Sequence, residues 1–180
     1  MIINSQKRIF GKGAKVSLFT LGTMRATESL EKMYSIIKNA HYVGINHIET
    51  APSYGEAEIL IGSSIKKLAI IDNISEKNWV ITTKVLPKGD FEFLKNNFKN
   101  SLKNLNLKKI NNVAIHGLNL KRHLDWVLTG DGKKFISWIL EKGLVDQVGF
   151  SSHGSYSLIK EAINSEVFSF CSLQDRKSVL

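Results

Sequence analysis

The sequence has little of what cross-links a chain or anchors it in a membrane: it contains one cysteine, two prolines and no long apolar run. The single cysteine, Cys171, excludes an internal disulfide and is typical of a protein from a reducing cytoplasm. Without an apolar run of about 18 residues, no transmembrane helix is expected. Residues 1–8 also lack the apolar core and small-residue cleavage site of a signal peptide. We therefore expect a cytoplasmic protein without a membrane partner.

Acidic residues are the minority among the charged ones, with 16 against 25 basic residues and a net charge of +9. A basic excess is compatible with binding to nucleic acid or to the phosphates of a cofactor. The lysines are scattered through predicted helices and loops, however, and no aromatic residues alternate with them in a nucleic-acid motif. The pattern favours lysines spread over solvent-facing surfaces, so we expect no nucleic-acid partner.

Hydrophobic patterning predicts an N-terminal β-hairpin followed by alternating strands and helices. The hairpin covers residues 8–16, where Gly11 and Gly13 are expected to supply positive φ angles. Buried strands are predicted at 17–24, 44–51, 79–85, 112–116, 147–151 and 168–173. Helices are predicted from Thr27 or Ser29 onward, at 56–68, at 91–105, at least once within 121–142, and at 155–164. Strict alternation predicts parallel strands, and no linker divides the chain, so residues 1–180 are expected to form one domain with βα units from 17 to 174.

Two α/β architectures are compatible with this alternation. An open doubly wound sheet should have a glycine-rich first βα turn, but residues 22–26 do not form a G-x-G-x-x-G motif. A (β/α)8 barrel accounts for the polar residue that ends nearly every strand, but it needs eight strands and typically about 250 residues. The pattern by itself leaves both architectures open.

Polar side chains stand at the C-terminal ends of the predicted strands, where a barrel gathers its functional residues. They are Thr23, Glu49 with Tyr54 just beyond it, Lys84, His116, Ser151 and Ser152. A tyrosine is a poor acid near neutrality, but a neighbouring ammonium group favours its phenolate. A carboxylate can hold that ammonium, and a histidine can position a substrate oxygen. The same residues could each have an unrelated structural role, and spacing alone does not decide between the two interpretations.

Longer motifs surround these residues. Residues 44–58 contain Asn-His-Ile-Glu-Thr-Ala, then Tyr-Gly and Glu58; other segments are 8–24, Thr83-Lys84-Val85, Ile115-His116 and 143–153. Together, from about Arg8 to Gln174, they resemble the aldo-keto reductase family. The glutamate of the first motif resembles that of the family's cyanobacterial-type members.

This resemblance implies a (β/α)8 TIM barrel that reduces an aldehyde or ketone to an alcohol with NADPH, less often NADH, and without a metal. It implies that Tyr54 is the general acid, that Lys84 makes it more acidic, that His116 orients the carbonyl and that Glu49 pairs with the lysine. The cofactor-binding residues it implies are Gly22, Thr23, Met24, Ser151, Ser152 and Gln174.

The chain also departs from the family pattern. Glu49 stands where aspartate is usual, and Ser152 where asparagine is common. The last two barrel strands, whose loops bind the cofactor phosphates, have no counterpart, so we expect a C-terminally truncated barrel of about six strands out of eight. Its open edges should make it poorly stable or prone to self-association. The alternative to an active reductase is a catalytically silent relative that serves as a binding or regulatory module.

Overall fold

The computed structural model describes residues 6–26 and 28–173, and its elements follow the predicted alternation. The hairpin consists of β1 (Lys7–Ile9) and β2 (Lys15–Ser17), which pair antiparallel. The remaining strands are β3 (Thr20–Gly22), β4 (His47–Glu49), β5 (Val80–Val85), β6 (Ile110–Ile115), β7 (Val145–Ser152) and β8 (Phe170–Leu173). The helices are α1 (Leu30–Tyr42), α2 (Ala57–Ile71), α3 (Phe91–Asn104), α4 (Lys121–Thr129), α5 (Asp131–Glu141) and α6 (Tyr156–Asn164), with a 3-10 turn at Glu76–Asn78.

The order of the strands distinguishes between the two architectures. In the described part of the chain, the sheet has six strands in the order β3-β4-β5-β6-β7-β8, and every neighbouring pair is parallel. A doubly wound sheet reverses its strand order at a switch point, whereas a barrel adds each strand beside the previous one. The sheet is therefore a curled part of a (β/α)8 barrel, as predicted, with β3 and β8 at its two edges within the described residues.

Local sequence signals explain where the first helix begins and ends. The Ser29 side chain accepts a hydrogen bond from the Lys32 amide and caps α1. Met33 and Ile37, one turn apart, are fully buried against the sheet side of the core. Gly44, with φ of +83°, follows the helix in the left-handed conformation that glycine adopts most easily. Of the two predicted caps, Thr27 lies outside the described residues.

The hydrophobic core lies between the helices and the outer face of the sheet. Every residue of β5 is buried, as expected for a strand covered on both sides. Phe98 of α3 is fully buried and meets Phe135 of α5 edge-on, with ring centroids 5.8 Å apart. Trp138 packs edge-on against Phe98 at 6.4 Å. None of the helices in the described part of the chain has the length and apolarity needed to span a bilayer.

Polar side chains continue across the barrel interior near the N-terminal ends of the strands. His47 lies between the hydroxyl groups of Thr20 and Thr82, at 2.9 and 2.8 Å. The Asn112 amide donates to the Thr82 hydroxyl at 2.9 Å, and the Gln147 amide donates to Asn112 Oδ1 at 2.9 Å. We call these five residues the polar row. They join five neighbouring strands at one level of the barrel.

The hairpin covers this end of the sheet. Gln147 Nε2 donates to the Phe10 carbonyl at 2.8 Å, and its Oε1 accepts from the Lys12 amide at 2.8 Å. Gly11 has φ of +58°, as predicted, but Gly13 does not have a positive φ. Gly13 is needed for space instead, because a Cβ there would lie 2.6 Å from Gln147 Nε2. The conformational role predicted for Gly13 was therefore wrong.

Other predictions differ in extent. The strand predicted at 17–24 is only β3, and it is exposed or half-buried because β4 covers just one of its edges. Ser17 belongs to the hairpin strand β2. The region 121–142 contains two helices, which meet at Gly130.

Candidate active site

Three neighbouring strands bring the predicted catalytic residues to one edge of the sheet. β4 ends at Glu49, β5 carries Lys84 near its end, and His116 follows the last residue of β6. Because β4, β5 and β6 are adjacent and parallel, their C-terminal ends meet. Alternation along β5 places Lys84 on the same face as Thr82 of the polar row, while Thr83 points to the helices.

Lys84 is the central residue of the site. Its side chain is 3% exposed, and Nζ donates hydrogen bonds to the Tyr54 hydroxyl at 3.0 Å and to the Thr50 carbonyl at 3.2 Å. Glu49 Oε1 lies 3.3 Å from the same Nζ. A buried ammonium group is tolerated when it is both ion-paired and hydrogen-bonded. The ammonium is thus held against the phenolic oxygen of Tyr54.

Thr23 fixes the backbone at Glu49. Its amide and its hydroxyl both donate to the Glu49 carbonyl, at 3.2 and 3.0 Å. Thr23 is completely buried, whereas the Glu49 side chain remains 26% exposed. The carboxylate therefore faces the solvent side of the site on an anchored backbone.

His116 completes the arrangement. Its ring stands perpendicular to that of Tyr54, with centroids 5.8 Å apart. Burial, and then the nearby Lys84 ammonium, lower the pKa of His116 below its ordinary value, with a smaller opposing effect from Glu49. The imidazole is consequently neutral near pH 7, so one ring nitrogen donates a hydrogen bond and the other accepts. Ser53 Oγ lies 3.5 Å from Nδ1, at the outer limit of a hydrogen bond.

Glu58 supports the site from the helix side of the sheet. Glu58 was noted as part of the motif in the sequence, but this role was not predicted. The carboxylate is 2% exposed and accepts from the Thr83 hydroxyl at 2.7 Å and, more weakly, from the Asn104 amide at 3.4 Å. It joins the first turn of α2, just after Tyr54, to the residue next to Lys84. An acidic residue among the apolar positions of α2 was the only available signal.

A cavity of about 920 Å³ opens over these side chains. Glu49, Tyr54, Lys84 and His116 all line it, together with Ser151 and Ser172 from the last two strands and side chains from the loops. Leu86, Pro87, Lys88, Asn119 and His153 line it from loops, and Arg122, His123 and Trp126 line it from α4. The sequence motifs did not identify Lys88, Arg122 or Trp126 as residues of the site. In the described residues, no group of three or more histidine, cysteine or acidic side chains is placed to hold a metal.

The structure brings only some of the predicted cofactor residues to this cavity. Ser151 lines it. Gly22, Thr23, Met24 and Ser152 are not among the described residues that line the cavity. Ser152 is buried and donates to the Leu118 carbonyl at 2.6 Å, so its hydroxyl is already engaged. Gln174 lies outside the described residues. The cofactor roles of all six residues remain predictions.

Comparison with known proteins identifies the family. The sequence profile described as "Aldo/keto reductase family" matches residues 19–180. The chain belongs to the aldo/keto reductase family of oxidoreductases. The family predicted from the motifs is thereby confirmed.

Solved aldo-keto reductases share the fold of this chain. A protein from Pseudomonas aeruginosa assigned to these enzymes is 20% identical, with a TM-score of 0.74 over 96% of this chain and 80% of its own. One from Bacillus halodurans, solved in its holo form, is 20% identical, with a TM-score of 0.77 over 95% of this chain and 58% of its own. One from Bombyx mori in complex with NADP is 19% identical, with a TM-score of 0.73 over 94% and 58%. No curated protein sequence matches the chain. The structural similarity confirms the predicted barrel fold.

Proposed function

We propose that this aldo/keto reductase reduces an aldehyde or ketone to an alcohol with NADPH, and that Tyr54 donates the proton. The observation that carries the proposal is the contact between the Tyr54 hydroxyl and Lys84 Nζ at 3.0 Å, with Glu49 3.3 Å from the same Nζ. The side chains lie at the floor of a cavity large enough for a small carbonyl compound.

Proton transfer from Tyr54 to the carbonyl oxygen leaves a phenolate. The adjacent Lys84 ammonium stabilises this anion electrostatically, and it does so more strongly in a buried site than in water. Glu49 and the Thr50 carbonyl hold the ammonium in place, so it needs no rearrangement when the phenolate forms. Glu58 keeps α2 and β5 together behind the pair.

His116 orients the substrate. A neutral imidazole can donate one hydrogen bond to the carbonyl oxygen without competing with Tyr54 as a strong acid. The lowered pKa of His116 supports this role, because it keeps the ring neutral at and somewhat below neutral pH. The perpendicular packing of its ring against Tyr54 supports a common target for the two side chains.

The described residues fit the nicotinamide end of the cofactor. NADPH, when bound, supplies the hydride to the carbonyl carbon. Ser151 Oγ accepts a hydrogen bond from the Gly117 amide at 3.0 Å, which leaves its own proton to donate to a carboxamide. Ser172 lines the same cavity from β8. The Bombyx mori relative solved with NADP supports NADPH over NADH.

The proposal is tested with Tyr54→Phe, which removes only the hydroxyl group, and with Tyr156→Phe as a matched control at an exposed position on α6. Oxidation of NADPH with 4-nitrobenzaldehyde should fall by at least about 100-fold in Tyr54→Phe, the usual contribution of a general acid, and stay unchanged in the control. Titration of NADPH fluorescence should show binding to all three proteins. A chain that does not bind NADPH, or that turns over no carbonyl compound, would favour the silent binding module instead.

A further inference from the structure

The cavity wall carries more positive charge than its own carboxylate neutralises. Of the described side chains that line it, Lys84, Lys88 and Arg122 are cationic, and Glu49 is the only acidic one. Glu49 is paired with Lys84 at 3.3 Å. Across residues 6–26 and 28–173, no ion pair involves Lys88 or Arg122. Among the described residues, these two positive charges beside the proposed reaction centre therefore have no ion-pair partner.

The nearest acidic residues in sequence are engaged elsewhere. Asp90 caps α3, where its Oδ1 accepts from the Phe93 amide at 2.8 Å. Asp125 of α4 pairs with Lys121 at 3.0 Å. Neither carboxylate lines the cavity. Lys88 and Arg122 are therefore not paired with the acidic residues nearest to them in the sequence.

The two cations come from different segments that are tied together. Lys88 lies in the loop after β5, and Arg122 lies in the first turn of α4. Trp126, one turn after Arg122, donates from its indole Nε1 to the Gly89 carbonyl at 3.2 Å. This hydrogen bond joins α4 to the loop that carries Lys88, and the indole adds aromatic surface to the cavity. An aromatic wall next to a guanidinium group suits a planar molecule with a negative end.

We infer that the substrates of this enzyme are carbonyl compounds with a second, negatively charged group such as a carboxylate, which Arg122 and Lys88 bind while the carbonyl lies at Tyr54. The inference rests on the proposed function and adds the substrate class. Arg122 supplies the planar, fork-shaped donor that pairs with a carboxylate, and Lys88 contributes a second charge at the cavity mouth.

The position of the cations separates this role from cofactor binding. The serines proposed for the nicotinamide end belong to β7 and β8, whereas Lys88 and Arg122 follow β5 and β6. Because the strands stand in sequence order around the sheet, the cations lie toward the side of β5 and β6. Substrate and cofactor would therefore occupy different sectors of one cavity.

The test compares 4-carboxybenzaldehyde with 4-formylbenzamide, which has nearly the same shape but no charge. We expect kcat/KM to be at least about tenfold higher for the anionic aldehyde, which corresponds to about 1.4 kcal/mol. Arg122→Gln and Lys88→Gln should each reduce the ratio of kcat/KM for the anionic aldehyde to kcat/KM for the amide, mainly through KM. Rising ionic strength should reduce the same ratio in the native chain. Arg8→Gln in the hairpin is the matched control and should keep the ratio.

A binding measurement makes the result independent of turnover. Titration of tryptophan fluorescence with 4-carboxybenzaldehyde should give a signal that Trp126→Phe removes and Arg122→Gln weakens, while the amide binds less tightly. Arg122-dependent binding without any reduction would refute the reductase but keep the anion site. Equal reduction of both aldehydes, unaffected by Arg122→Gln, would refute the anion site but keep the reductase. Loss of NADPH affinity in Arg122→Gln without a change in the ratio would also overturn the inference, and so would the absence of both turnover and Arg122-dependent binding.

Discussion

Mild acid should destabilise the fold through His47 of the polar row. This ring is 4% exposed and lies between two neutral hydroxyl groups, those of Thr20 and Thr82. Burial lowers the pKa of His47 from 6.5 to about 4, and the Glu49 carboxylate opposes this only in part. Since the folded site disfavours the protonated ring, folding and proton uptake at His47 compete.

The size of the effect follows from the two pKa values. A change from 6.5 to about 4 is worth about 3 kcal/mol, at about 1.36 kcal/mol for each pH unit. Between about pH 6.5 and about pH 4 the unfolded chain binds this proton and the folded chain does not. The free energy of unfolding should therefore fall as the pH drops from about 6.5 to about 4, and His47 should contribute no further change below that.

Urea denaturation at a series of pH values between 7.5 and 4 measures the effect, with the midpoint and the slope m followed separately. His47→Gln removes the titrating ring and should flatten the dependence of unfolding free energy on pH. His153→Gln, at an exposed position, should not. The same pH dependence in the native chain and in His47→Gln would refute this explanation.

Further predictions concern the support of the site and the edges of the sheet. Glu58→Ala should lower the free energy of unfolding by about 2 kcal/mol, because the Thr83 hydroxyl loses its charged partner. Glu58→Gln should lower this free energy by less. Thermal or urea unfolding measures both variants. Gly62→Ala should destabilise the fold by about 1–3 kcal/mol although alanine favours helices, because its Cβ would lie 2.5 Å from the Asn104 carbonyl oxygen. Ser63 is exposed beside it, and Ser63→Ala should leave the stability unchanged or raise it. Within the described residues, β3 and β8 have no neighbouring strand at their outer edges. These edges should make the 180-residue chain bind a hydrophobic dye and self-associate, and a sharply melting monomer without dye binding would contradict this.

Strands and helices could be predicted where their apolar residues follow a clear pattern. The β5 segment has the β-branched, apolar sequence of a strand buried on both faces, and it was identified almost to the residue. β3 was predicted too long, because its apolar sequence resembles a central strand although it lies at an edge. The polar row was not anticipated. Except for Thr20, each member has an apolar neighbour on one side in the sequence and a polar neighbour on the other, and this pattern does not distinguish a barrel interior from a face in solvent.

The catalytic candidates were predictable because barrel strands deliver their last residues to one place. Strand ends and parallel order were enough to predict that Glu49, Lys84 and His116 lie together. Their catalytic roles came only from the family resemblance and remain predictions. Glu58 and Arg122 were not predictable in this way. Glu58 meets the Thr83 hydroxyl of β5, and Arg122 reaches the cavity wall, only when the helices that carry them pack on the sheet.

The central claim, that Tyr54 protonates a carbonyl oxygen while NADPH reduces its carbon, is tested most directly by following deuterium from C4 of the nicotinamide. With NADPH that carries deuterium in both positions at C4, the native chain should give an alcohol that carries deuterium on the carbinol carbon. Tyr54→Phe should bind the cofactor equally well but form this product at least about 100-fold more slowly. An alcohol without deuterium, or equal rates in the two proteins, would contradict the claim.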